Sequence, residues 1–229
     1  MHTLCCGFKT YTMSSISNID ALRKEYAQGK LDLADTPSDP IAQFKRWFEE
    51  AMNAEVPEPN AMTLSTATRS GRPSARIVLL KGLEDGDFLF YTNYQSHKGR
   101  ELEENPYAAL TFLWHELQRQ VRVEGRVERL SPEASTDYFQ SRPKSSQIGA
   151  WVSPQSQRIE SREVLEEREQ ELWEKYEDAE QLPRPEHWGG FRVMPHRIEF
   201  WQGRPSRLHD RINFERDASG EWRKSRLAP

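Results

Sequence analysis

Cysteine is nearly absent. The chain has two, Cys5 and Cys6, side by side near its start. Neighbouring cysteines rarely pair, so no disulfide framework is expected and a reducing, cytoplasmic setting is. No apolar run approaches the length of a membrane span. An excess of basic charge is missing too. Lys and Arg number 32 against 36 Asp and Glu, a net charge of −4, which argues against a general nucleic-acid surface. The six histidines are scattered, so no metal centre is expected. There is no Walker A loop, no GxGxxG, no CxxC, no HExxH and no GxSxG. The opening MHTLCCGFKTYTM lacks the apolar core and cleavage site of a signal peptide.

At 229 residues the chain is long enough to bury a full core. Residues 1–17 read as a disordered extension. NIDALRKEYAQ, Asn18 to Gln28, reads as a short helix stopped by Gly29. Asp39 caps a second helix that has Pro40 at its first position. Ile41, Phe44, Trp47, Phe48 and Ala51 form an apolar stripe at helical spacing, a core face. From Ala61 the pattern becomes short β-branched and aromatic runs: AMTLSTA, SARIVLLKGL, DFLFYTN, YAALTFLWH and RQVRVEGRVERL. Ser-Gly, Asp-Gly and Asn-Pro turn signals separate them. Helices are expected over Ser96 to Glu104, Pro132 to Gln140, SSQIGAWV, and the Glu-rich stretch Ser161 to Tyr176. GGFRVMPHRIEFWQG, INFERD and EWRKSRLA return to strand. The expectation is α+β, mainly β: an antiparallel barrel or sandwich forming one domain over 18–229.

Chemistry concentrates in two segments. EFWQGRPSRLHDR, Glu199 to Arg211, puts Phe200, Trp201, one His and three Arg around a Gly-Arg-Pro turn. Rings can cover a flat ligand, guanidinium forks can grip phosphate or carboxylate, and imidazole can handle a proton. A surface hairpin with scattered charges explains the same segment taken alone. SRPKSSQIGAWVSPQS, Ser141 to Ser156, is polar and short of acidic groups, which suits a second anion; a capped loop is the plain alternative. Arg76 opens RIVLLK and Lys81 closes it. Five residues apart, they fall on opposite faces of a regular strand unless its end re-aims one. SHKGR, Ser96 to Arg100, begins a helix whose amides, with Lys98, can cradle a phosphate.

RIVLLK, YTN, RQVRVEG, YFQSRP, SQIGAWVSPQS, WGGFRV, EFWQG and RLHDR, in this order and spacing, resemble the pyridoxamine 5′-phosphate oxidase family. The ending WRKSRLAP resembles it as well, and the match runs from about Ile19 to Pro229. The resemblance implies a split β-barrel (an antiparallel Greek-key barrel with peripheral helices). It also implies a homodimer with FMN in two interface clefts. The implied reaction oxidises pyridoxine or pyridoxamine 5′-phosphate with molecular oxygen, and needs neither nucleic acid nor membrane.

By that resemblance Arg76, Ile77, Val78, Leu79, Leu80 and Lys81 line the FMN. Tyr91, Thr92, His97 and Lys98 hold its phosphate region, and Gln120 its ring edge. Gln155, Ser156, Trp201 and Arg211 complete the flavin site. Tyr138, Arg142, Ser146 and Lys81 bind the substrate phosphate. Arg207, Leu208 and His209 flank the substrate ring, with Arg207 mainly electrostatic and His209 the titrating group. Arg23, Lys24, Glu25 and Tyr26 resemble a segment that closes over the site. His97 stands where many members have Arg, a departure that implies a weaker, pH-dependent grip on FMN. Two other classes stay open: an FMN-dependent reductase on the same barrel, and a non-catalytic carrier of FMN or pyridoxal phosphate.

Overall fold

The computed structural model describes residues 25–27 and 29–229. The expected extension over 1–17 lies outside the described residues, as does most of the helix expected over Asn18 to Gln28. The described part of that helix, Glu25 to Ala27, is irregular backbone.

Helix α1 (Pro40–Asn53) starts where its sequence dictates. Asp39 accepts from the Ile41 and Ala42 amides, and Pro40 sits where a missing N–H leaves nothing unsatisfied. Phe44, Trp47 and Ala51 are buried, with Ile41 and Phe48 packed at the core margin. The Phe44 ring meets Phe88, Phe112 and Trp114 at centroid distances of 4.9, 5.1 and 6.3 Å. Asp39→Ala is expected to cost about 1 kcal/mol and to lower the melting temperature by roughly 2–4 °C. An unchanged melting curve would show that the cap contributes nothing.

Nine strands form one sheet: β1 (Ala61–Ala67), β2 (Pro73–Leu79), β3 (Gly82–Glu84), β4 (Asp87–Asn93), β5 (Tyr107–Trp114), β6 (Arg119–Arg129), β7 (Trp188–Gln202), β8 (Asp210–Arg216) and β9 (Trp222–Leu227). Their order is β2-β1-β5-β6-β7-β4-β3, with β8 on β7 and β9 on β8. β7 runs along β6 on one edge. On its other edge residues 188–193 pair β4 and residues 197–202 pair β8, so the sheet forks. Pro195 has no N–H for a ladder, and a bulge absorbs it. Gly125 faces Pro195, Glu124 faces Arg197, and His196 is left over. Any side chain at Gly125 would run into the Met194 carbonyl oxygen.

SARIVLLKGL, expected as one strand, is two. Leu80 donates its amide to the Asn60 carbonyl, whereas Lys81 donates to Leu89 on β4. The chain changes partners at that point. Because β2 and β3 are the two ends of the strand order, the sheet curls until its ends meet there.

Helices α2 (His97–Glu104), α3 (Pro132–Ser141), α4 (Lys144–Val152) and α5 (Glu163–Lys175) lie at the periphery. α3 and α4 build a second, smaller core of Phe139, Ile148, Val152, Leu182 and Trp188. α5 buries no residue, as its Glu-rich face implies. No helix among the described residues is long and apolar enough to cross a membrane.

Candidate active site

A cavity of about 330 Å³ opens between the end of β2, the middle of β4, the start of α2 and the α3–α4 pair. At one end stands Lys98. Ser96 caps α2 by accepting from the Gly99 amide, and any side chain at Gly99 would collide with the Tyr94 carbonyl. This tight turn brings Lys98 back against β4. Its Nζ is buried and donates to Thr92 Oγ1 (3.2 Å), Ser96 Oγ (3.3 Å) and Gln155 Oε1 (2.8 Å). All three partners are neutral. Burial, and then the Arg76 charge nearby, pull the Lys98 pKa down to about 8. A cation held this way is short of an anion.

Arg76 is tied differently. Its Nη1 donates to Thr66 Oγ1 (2.5 Å) and its Nη2 to Ser74 Oγ (2.5 Å). Both hydroxyls donate onward to Glu101 Oε2, at 2.5 Å each, and Arg76 Nη2 reaches the same oxygen at 3.3 Å. Burial pushes the Glu101 carboxyl up, but Ser74, Thr66, His97 and Arg76 outweigh it and hold it below the usual carboxylate range. His97 lies on the far side of that carboxylate, 3.3 Å from Oε1, with its side chain 57% exposed. It does not line the cavity, because α2 turns it away from Lys98. The cation that lines the cavity at this end is Lys98 rather than His97.

Arg142 marks the other end. It follows α3, and its Nη2 donates to the Ser146 carbonyl at 2.8 Å. Among the described residues its buried Nη1 has no hydrogen-bond partner. Burial lowers its pKa, so the charge is poorly solvated. Tyr138 and Tyr91 stack with centroids 3.7 Å apart, and burial pushes the Tyr91 hydroxyl up to about 12, so it stays protonated. Ile77, Val78, Leu79 and Lys81 line the cavity with Arg76. Arg76 and Lys81 share it because β2 ends at Leu79, which re-aims Lys81. Ser146 lines an adjoining space of about 250 Å³ that shares Arg142, Gln155 and Trp188.

A second group lies elsewhere on the chain. Gln120 pairs with Trp201 across β6 and β7, and Trp201 with Arg211 across β7 and β8. Directly paired residues share a face, so the three form one row. Arg211 makes a two-pronged contact with the buried Glu199 carboxylate at 2.8 and 2.9 Å. The His209 ring lies 4.6 Å from Trp201, and Tyr26 stands edge-on to both at 5.8 and 5.9 Å. The Arg204 amide donates to His209 Nδ1 at 3.1 Å. The neutral ring therefore carries its proton on Nε2, and burial and Arg207 favour that neutral form by lowering its pKa. In that neutral form His209 offers its Nε2–H as a hydrogen-bond donor. Arg207 and Leu208 are exposed on the turn between β7 and β8. Among the described residues no hydrogen bond, ion pair or ring contact joins this group to the cavity.

Of the remaining expected residues, Leu80 and Ser156 line neither the cavity nor the adjoining space. Leu80 is buried in the main core, and Ser156 is exposed with φ 68°. Glu25 is exposed, and Arg23 and Lys24 lie outside the described residues. Sequence reasoning missed Trp188 in the cavity wall and the two buried carboxylates, Glu101 and Glu199. An acid set between apolar neighbours in Glu199-Phe200-Trp201 was the available signal for the last.

The model of the family described as pyridoxamine 5′-phosphate oxidase matches residues 48–176. The pyridoxine 5′-phosphate oxidase C-terminal dimerisation region matches residues 188–229. A pyridoxine/pyridoxamine 5′-phosphate oxidase of Salinibacter ruber is 56% identical over 215 residues, 93% of this chain and 100% of that one. One of Paraburkholderia phytofirmans is 57% identical over the same shares. The crystal structure of PhzG from Burkholderia lata 383, in complex with tetrahydrophenazine-1-carboxylic acid, is 34% identical. It superposes with a TM-score of 0.82 over 88% of this chain and 100% of that one. The chain belongs to the pyridoxamine 5′-phosphate oxidase family.

Proposed function

We propose that the chain is an FMN-dependent oxidase that converts pyridoxine or pyridoxamine 5′-phosphate, with molecular oxygen, to pyridoxal 5′-phosphate. Hydrogen peroxide leaves; when the substrate is the amine, water supplies the aldehyde oxygen and ammonia leaves as well. The observation that carries this reading is a cavity with two separate cationic ends, Lys98 and Arg142, each short of an anion, along an aromatic wall. A phosphorylated flavin and a phosphorylated pyridine supply two anions and two flat rings. Lys98 and Thr92 would hold the FMN phosphate, with Arg76, residues 77–79 and Lys81 along the flavin. Bound FMN supplies the redox chemistry, taking electrons from the substrate carbon and passing them to oxygen.

The chain's own groups position the reactants. Arg142, Tyr138, Ser146 and Lys81 anchor the substrate phosphate. Arg207 contributes fixed positive charge, and His209 Nε2–H orients the substrate's polar group. Trp201, Arg207, His209 and Arg211 all fall in the stretch matched by the dimerisation region. Among the described residues no hydrogen bond, ion pair or ring contact joins them to the cavity of their own chain. A second copy brings them there, giving a homodimer with two FMN sites, and Gln120, Gln155 and Ser156 complete the flavin surroundings.

Lys98 makes FMN binding pH-dependent. Burial and the Arg76 charge set its pKa at about 8, and a bound phosphate raises it. Binding therefore takes up a proton above pH 8, and affinity falls as pH rises, by up to about tenfold per unit. Lys98→Arg, always charged, is expected to flatten that fall between pH 8 and 10, read by flavin fluorescence titration. An equal slope in both proteins would remove Lys98 from the phosphate contact.

The reading itself is tested by the visible spectrum of FMN-loaded protein, kept anaerobic, as pyridoxine 5′-phosphate is added. The flavin band is expected to bleach and to return on admitting air. A band that ignores this substrate but bleaches with a reduced nicotinamide would place the chain among the reductases.

A further inference from the structure

Three of the four arginines of the proposed site are held in two different ways. Arg76 leans on Glu101 and Arg211 on Glu199, each a buried carboxylate. Arg142 leans on a ring. Its guanidinium carbon lies 4.5 Å from the Trp188 centroid and 5.7 Å from that of Phe139. Its other contact is the Ser146 carbonyl, and its Nη1 is buried and unpartnered.

The Trp188 ring is itself well fixed. It opens β7, paired with Asn93 of β4, and is 7% exposed. It lies nearly parallel to Tyr91 and Tyr138, at 14° and 3°, and meets Phe139 edge-on at 5.3 Å. The kind of support decides what remains for a ligand. A carboxylate under a guanidinium neutralises it and repels an incoming phosphate. An aromatic face attracts the cation through its quadrupole and leaves the net charge intact. A stacked guanidinium also keeps its fork in one plane, the geometry a phosphate accepts.

We propose that Trp188 is a positioning residue for the substrate phosphate: its indole face fixes the Arg142 fork without neutralising it, leaving Nη1 for the ligand. This rests on the oxidase reading above. It explains why the charged end that discriminates phosphorylated from unphosphorylated pyridines carries no carboxylate among its contacts.

The test compares pyridoxal 5′-phosphate with pyridoxal, each titrated into FMN-loaded protein and followed by the flavin spectrum. Trp188→Leu is expected to cut the preference for the phosphorylated ligand about tenfold, the size of a desolvated cation–π contact. Trp188→Phe, which keeps a ring face, is expected to cut it by less than about threefold. In an Arg142→Ala background Trp188→Leu should add no further loss, because its effect passes through that arginine. Should Trp188→Leu fail to fold, Trp188→Met, which fills space without a ring, enters the same comparison.

Equal weakening of both ligands would overturn the proposal and make Trp188 a packing residue. So would losses that add in the double variant, or Phe behaving like Leu. A wild-type protein with no preference for the phosphorylated ligand would overturn the oxidase reading beneath it, an outcome separate from these.

Discussion

Arg142→Ala is expected to raise the KM for pyridoxine 5′-phosphate at least about thirtyfold, with a much smaller change in kcat. Removing one partner of a buried, charge-assisted contact costs roughly 2–5 kcal/mol, and about 1.4 kcal/mol is a factor of ten. The contact qualifies because Nη1 is buried without a protein partner and burial lowers the Arg142 pKa. Arg142→Lys is expected to recover little, since a lysine keeps the charge but loses the fork and the stack on Trp188. Flavin content should hold, because the proposed FMN phosphate lies at the Lys98 end. Steady-state kinetics at saturating FMN decide it, and an unchanged KM would remove Arg142 from the phosphate seat.

Arg207→Ala is expected to act on the other parameter, lowering kcat by about a hundredfold while flavin content changes little. Arg207 sits on a turn that few sequences would choose. Ser206 and Arg207 both have left-handed backbone, at φ 57° and 62°, and neither is glycine. Such conformations cost roughly 1–2 kcal/mol per residue. The turn is pinned by the Arg204 amide on His209 Nδ1 and by the Arg204 side chain near Asp210. Strain kept in place by such contacts is what a positioned catalytic group needs. An Arg207→Ala protein that purifies without flavin, yet regains full rate on adding FMN, would make Arg207 a cofactor residue instead.

Much of this was legible before any coordinates. Asp39-Pro40 marked the start of α1, and the stripe through Phe44 and Trp47 marked its buried face, because capping and amphipathic spacing are local properties. The strand AMTLSTA was bounded by turn chemistry for the same reason. Pairing is not local. Nothing in SARIVLLKGL shows that Leu80 bonds toward β1 and Lys81 toward β4, which is why one expected strand became two and Lys81 joined Arg76 in the cavity. His97 was assigned by the resemblance, from standing where many members have Arg, and consecutive helical residues point about 100° apart. One faces the cavity and the other Glu101. The roles of Trp188, Glu101 and Glu199 depend on what lies across the fold from them, so motif order could not supply them.

The account's central claim is that the cavity of one copy and the β7–β8 turn of another form a single oxidising site. Mixing Arg142→Ala protein with Arg207→Ala protein under conditions of subunit exchange tests it most directly. Half of randomly reassorted dimers pair one of each, and each such dimer has one site free of both substitutions. Pyridoxine 5′-phosphate oxidation is therefore expected to return to about a quarter of the wild-type rate. If exchange is complete and the mixture stays as inactive as its components, the two groups do not complete one site across the dimer, and the account is wrong.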